Sequence, residues 1–266
     1  MNPGNKIIIF NNFMLTKKNI PSLLLATLIN FSIPLLYFLI DPTYFTRSTD
    51  LYIIIAFITV LEILLVVILS LYNPDIILKH NHSDTPGPTE TPNPYKMSFT
   101  NIKLMSKEIA VLYCHECSLY LPLKGFHCND CGICFDNYRH HNFMFNNCIT
   151  GNNLTLYFTY LILNILNYFC ISVSVYQMIN FDNQELLLEM LIMSASSFAF
   201  TFSVYNILYE LHAIGMNSSK LVDVYNYQNE TKIYQRKYWG NIVNFMKKKQ
   251  SKMVLARREI EIELRD

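Results

Sequence analysis

Residues 114–148, CHECSLYLPLKGFHCNDCGICFDNYRHHNFMFNNC, carry six of the chain's seven cysteines and four histidines; the cysteines together with His127 and His141 run in the order C-x2-C-x9-H-C-x2-C-x2-C-x6-H-x6-C. Thiolate and imidazole are the donors Zn²⁺ prefers, and a structural zinc site takes four of them tetrahedrally with no open position. Eight donors, Cys114, Cys117, His127, Cys128, Cys131, Cys134, His141 and Cys148, therefore predict two closed sites. The competing reading is a disulfide framework. It needs an oxidising compartment and leaves both histidines without a role. Spacing alone does not say which ligands share an ion.

The surrounding sequence places that segment against a membrane. Hydrophobic residues make up 52% of the chain and charged residues 15%, against roughly 25% charged in an ordinary soluble domain. Four segments account for the excess: Ser22–Ile40, Leu51–Tyr72, Leu154–Ile179 and Leu186–Leu211. Each is close to or above the ~20 apolar residues that span a bilayer. An open strand cannot satisfy its backbone in lipid, so helices are expected. The first segment is too long for the apolar core of a secretory signal and reads as a retained span. The expected fold is an all-α multi-pass membrane protein, with four transmembrane helices and a two-zinc domain between helices 2 and 3. Its parts are an N-terminal arm (1–21), helices 1 and 2 (22–72), a linker (73–113), the zinc-binding domain (114–153), helices 3 and 4 (154–211) and a basic tail (212–266).

Basic residues set the orientation. Of 21 Lys and Arg, three lie in the N-terminal arm, six in 73–153 and eleven after His212; the short connections 41–50 and 180–185 hold only Arg47. The positive-inside rule then puts both termini and the cysteine-rich segment in the cytoplasm. That compartment is reducing, which favours metal over disulfides. Sequons at Asn81, Asn153, Asn217 and Asn229 fall on that side or at a membrane boundary, so no glycan is expected. A net charge of +1 gives no reason to invoke nucleic acid.

Residues 80–95 are rich in Pro, Ser, Thr and Asn and read as a linker in which His80 and His82 are solvated. In the zinc segment itself apolar periodicity is absent, so bound metal is expected to supply most of its folding energy. Within the spans, Glu62 is expected to face the bundle interior, protonated or paired. Asn30, Asn164, Asn167, Ser172, Ser174, Ser194, Ser196, Ser197 and Thr201 are candidates for hydrogen bonds between helices. Cys170, deep in the third span, reads as a small core residue, and Pro34 as a kink in the first. In the tail, Lys247, Lys248, Lys249 and Lys252 suit either a solvated helix or attraction to anionic lipid.

From Tyr113 to Tyr157 the chain resembles the cysteine-rich domain of the DHHC family of protein S-acyltransferases (palmitoyltransferases). The resemblance rests on the Cys/His series, on Pro122 and Lys124 after the first cysteine pair, and on Asn147, Cys148, Asn153 and Tyr157-Phe158 after the last histidine. The four-span layout is also the family's. Weaker likenesses are Asn73-Pro74-Asp75 after span two, Asn217-Ser218-Ser219-Lys220 after span four, and Gly240 with Asn244. The resemblance implies that Cys114, Cys117, His127 and Cys134 share one zinc, and Cys128, Cys131, His141 and Cys148 the other. It also implies a cavity for an acyl chain between the spans, for which Tyr157, Phe158 and Tyr160 are candidate lining residues.

The signature of that family is altered here. Where the resemblance implies Asp-His-His-Cys, the chain has Arg139-His140-His141-Asn142, followed by Phe143-Met144 in place of Pro-Trp. The family cysteine takes a fatty acyl group from acyl-CoA as a thioester, the first histidine is its base, and the aspartate orients that histidine. His140 keeps the base position. Asn142 has no thiol, and Arg139 brings a guanidinium where a carboxylate is implied. The expectation is a pseudoenzyme that binds a partner acyltransferase, a substrate protein or a fatty acyl-CoA among membrane lipids, with endoplasmic reticulum or Golgi membranes as the implied location. Two alternatives stand beside it: an active S-palmitoyltransferase using another nucleophile or a partner's cysteine, and a zinc-stabilised channel or transporter built on Glu62.

Overall fold

The structure, a computed structural model, describes residues 6–10, 13–16, 19–40, 49–77, 97–104, 107–122, 125–178, 186–215 and 238–246. Its frame is four long helices: α1 (Asn19–Ile40), α2 (Thr49–Leu71), α3 (Leu154–Met178) and α4 (Leu186–Gly215). Among the described residues three stretches, Asp50–Leu71, Leu154–Gln177 and Leu186–Gly215, are long and apolar enough to cross a membrane. The 22 residues of Asp50–Leu71 rise about 33 Å at ~1.5 Å per residue, close to the thickness of a hydrocarbon core.

The helices bury several polar side chains between them and expose apolar ones outside, unlike a soluble bundle. On α2 the residues Ile53, Ile54, Phe57, Val60, Leu64 and Ile68 recur at helical spacing and are exposed, while Thr59 and Glu62 are buried. Asn167 of α3 donates from Nδ2 to Glu62 Oε2 at 2.7 Å and to Thr59 Oγ1 at 3.1 Å. Glu62 thus points into the bundle and is paired with an amide. Two further bonds join helices: Ser172 with Ser196 at 2.8 Å, and Tyr37 with Ser174 at 2.7 Å. Asn164, Ser194 and Thr201 instead bond carbonyls of their own helix three or four residues back, so they do not link helices through those contacts.

Two apolar clusters close the bundle at its ends. Tyr37, Ile55, Ile171 and Ile192 bring together all four helices at one end. At the other, Val66 and Leu69 of α2, Tyr157 and Tyr160 of α3 and Ile214 of α4 pack on Phe145 and Ile149 of the cysteine-rich segment. The Phe145 ring meets Tyr160 edge-on at 5.1 Å. Tyr157 and Tyr160 are therefore buried in the joint between helices and module.

The all-α expectation does not hold outside the long helices. An N-terminal hairpin pairs β1 (Lys6–Phe10) with β2 (Phe13–Thr16). Within and just past the segment expected as linker (73–113) lie β3 (Met97–Leu104) and β4 (Lys107–Cys114), which pair antiparallel and continue to β5 (Leu119–Leu121). Two smaller hairpins follow, β6 (Phe126–Cys128) with β7 (Ile133–Phe135), and β8 (His140–Asn142) with β9 (Asn147–Ile149). Strands of three residues are too short to show an alternating pattern. A fifth helix, α5 (Tyr238–Met246), lies against the end of α4. The proline-rich stretch 80–95, Asn217–Lys220 and the basic tail beyond 246 lie outside the described residues.

Candidate functional site

Each ligand group is assembled from one turn and a more distant pair. Cys114 and Cys117 flank the β4–β5 turn, and Cys128 and Cys131 the β6–β7 turn. Both turns reverse just past their second cysteine with a positive φ, 52° at Ser118 and 66° at Gly132. Glycine adopts that conformation freely; at Ser118 the closed turn imposes it at some strain.

The remaining ligands arrive from later strands. His127 Nδ1 lies 3.5, 3.3 and 3.5 Å from the sulfurs of Cys114, Cys117 and Cys134. His141 Nδ1 lies 3.6, 3.5 and 3.6 Å from those of Cys128, Cys131 and Cys148. A tetrahedron with ~2.3 Å metal–sulfur and ~2.0–2.1 Å metal–nitrogen bonds has sulfur–nitrogen edges of about 3.6 Å, so both groups fit such an ion. Each holds the same four residues that the family resemblance assigned to one zinc. The cluster also favours positive charge at its centre. Hydrogen bonding to Cys114 and Cys117 pushes the His127 pKa up to about 10, and Cys128 and Cys131 do the same for His141. Behind the first group, Glu116 Oε2 sits 2.7 Å from His127 Nε2.

A family model described as DHHC palmitoyltransferase matches residues 107–238. The chain belongs to the DHHC palmitoyltransferase family. It is 30% identical over 94 residues to palmitoyltransferase erf2 of Schizosaccharomyces pombe, covering 34% of this chain and 27% of that protein. It is 29% identical over 160 residues to palmitoyltransferase swf1 of the same organism, covering 58% and 40%. Palmitoyltransferase erf2 of Emericella nidulans matches at 27% over 100 residues, or 34% of this chain and 17% of the relative. The chain thus spans less than half the length of each of these relatives.

In this DHHC-family chain the altered signature lies on β8 and the residue before it. Side chains alternate along a strand: His141 turns to the second ligand group, so His140 and Asn142 share the opposite face. Both meet Tyr157 there, the His140 ring at 5.7 Å between centroids and Asn142 through a side-chain hydrogen bond. Asn142 Oδ1 accepts from Met144 N at 3.0 Å and Phe145 N at 3.4 Å, capping the turn into β9. His140 Nδ1 lies 3.1 Å from Oε1 of Glu210, a buried carboxylate on α4. The Arg139 guanidinium is buried enough for desolvation to push its pKa down, with the Glu210 charge opposing that shift.

The DHHC-family elements around the signature fasten the module to the helices. Asn147 Nδ2 donates to the carbonyls of Leu69 and Tyr72 at 2.8 and 2.7 Å, satisfying acceptors that the end of α2 leaves open. Asn153 precedes α3 and bridges Thr150 N at 2.8 Å and Cys148 O at 3.0 Å. Asp75 accepts from Asp136 N at 2.8 Å, and Ile77 donates to Cys134 O at 2.9 Å, so 75–77 run along β7. Sequence reasoning missed Glu210 and Glu116. An acid inside an apolar span, as in Tyr209-Glu210-Leu211, was the available signal for the first; for the second no local pattern gave one.

Proposed function

We propose that this DHHC-family chain is a non-catalytic, four-span membrane protein that binds fatty acyl-CoA without forming an acyl-enzyme. The observation that carries the reading is Asn142. It stands where the family nucleophile is implied, and its amide oxygen holds the turn to Met144 and Phe145. No side-chain amide forms a thioester. Substitution by another cysteine has little support: six belong to the two ligand groups, and Cys170 packs half-buried against an apolar cluster in α3.

In this reading each ligand group holds a structural Zn²⁺, α1 is the fourth span, and the module and both termini face the cytoplasm. The membrane is that of the endoplasmic reticulum or Golgi. Protein partners are an acyltransferase or a substrate protein meeting the module at the cytoplasmic surface. What supports ligand retention is that the His140 ring packs on Tyr157, and Tyr157 on Phe145, next to the altered strand.

Equilibrium binding of palmitoyl-CoA to the zinc-loaded protein in detergent, with free CoA measured in parallel, tests this. Saturable binding with no CoA release is the expected result. Steady release of CoA with acyl transfer, or no binding at all, refutes the reading.

A further inference from the structure

Glu210 lies five residues before the end of α4 at Gly215, about 7.5 Å along the axis, and its side chain is 3% exposed. A carboxylate buried at the edge of a membrane persists only where compensating groups meet it. Here the imidazole of His140 meets it at 3.1 Å, and the guanidinium of Arg139 is near enough for the two charges to act on each other. His140 in turn shares one strand face with Asn142, so carboxylate, imidazole and the altered nucleophile position follow one another from α4 to β8. That is the order of orienter, base and nucleophile in covalent catalysts, with the carboxylate supplied by a different element.

We propose that Glu210 is the positioning residue for His140, standing in for the carboxylate that Arg139 displaced, so that the chain lacks only a thiol. With Nδ1–H directed at Glu210, Nε2 is left as the acceptor nitrogen. A thiol introduced at position 142 passes its proton to Nε2. The thiolate attacks the acyl-CoA carbonyl, a new carbon–sulfur bond forms, and CoA leaves as a thiolate that recovers the proton. The inference rests on the proposed acyl-CoA reading only for that last part; the Glu210–His140 relation stands independently of it.

The test compares Asn142→Cys alone with Asn142→Cys carrying Glu210→Gln, Glu210→Asp or Arg139→Asp. Each variant is checked for unchanged zinc content, then followed for hydroxylamine-sensitive palmitoyl label and for alkylation at position 142 by iodoacetamide, which needs no acyl pocket. Asn142→Cys is expected to label without any change at Arg139. Glu210→Gln should slow labelling by about 10²-fold, the scale of a lost general base, and slow alkylation as well, with Glu210→Asp recovering part of both. Alkylation that depends on Glu210 without any labelling upholds the positioning role and removes the acyl-CoA reading. Rates indifferent to Glu210→Gln, or a thiol that reacts only once Arg139→Asp is added, overturn the inference.

Discussion

Glu116 Oε2 lies 2.7 Å from His127 Nε2, on the side of the ring away from the three sulfurs that face Nδ1. A carboxylate in that place fixes the tautomer and plane of a metal-binding histidine, and its loss typically weakens metal binding 10–100-fold. Glu116→Gln should therefore lower the affinity of the first site by about tenfold or more and leave the second unchanged. Competition with a chromophoric chelator resolves the two steps. Equal weakening of both sites would contradict this assignment.

Stripping the metal should unfold the module and spare the helices. Structural zinc of this donor type contributes on the order of 10–16 kcal/mol per ion at pH 7, and the three-residue strands β6 to β9 have little apolar area to replace it. Limited proteolysis after chelation is expected to cut within 114–148 while α2, α3 and α4 stay protected. Cobalt substitution should give two ions per chain.

Metal affinity should rise with pH. Bound ligands are thiolates and neutral imidazoles, whereas in the metal-free groups His127 and His141 hold protons up to about pH 10 because the neighbouring sulfurs favour the charged ring. The metal-free state binds more protons, so metal uptake releases them and acid drives the ion out. Proton release measured in two buffers of different ionisation enthalpy checks the sign.

The double contact of Asn147 with Leu69 and Tyr72 makes a second stability prediction. Asn147→Ala removes these two bonds, worth roughly 0.5–1.5 kcal/mol each, together with the Oδ1 acceptor of Cys148 N, and leaves two carbonyls unpaired. Hydrogen exchange at residues 69–77 should accelerate, with both metal sites still filled. Protection equal to that of the unsubstituted protein would show that apolar packing around Phe145 alone holds the module.

Inside the bundle, Asn167→Leu should destabilise by about 0.6–2 kcal/mol, because Glu62 then loses its amide partner in an apolar setting. Glu62→Gln keeps shape and a hydrogen bond and should be close to neutral. Thermal unfolding in detergent separates the two outcomes.

Much of this was legible in the residues, and what was not has a physical cause. Apolar length alone located the helices to within a few residues, as the match of Leu154–Ile179 to Leu154–Met178 shows. The ligand groups followed from donor chemistry, but their interlacing required family resemblance, since any four of eight donors satisfy a tetrahedral ion. β3 and β4 were hidden because they lie largely within the segment read as linker, 73–113, although Val111-Leu112-Tyr113 has strand-forming side chains. Glu210 was overlooked because it meets His140 across some seventy residues of chain, a separation at which no local pattern reports contact.

Acyl incorporation into the purified, zinc-loaded and otherwise unaltered protein from tagged palmitoyl-CoA bears most directly on the proposal that the chain forms no acyl thioester. The expected result is no hydroxylamine-sensitive label, because position 142 presents an amide and six cysteines belong to the metal groups. Hydroxylamine-sensitive label at any residue of the unaltered chain would contradict it.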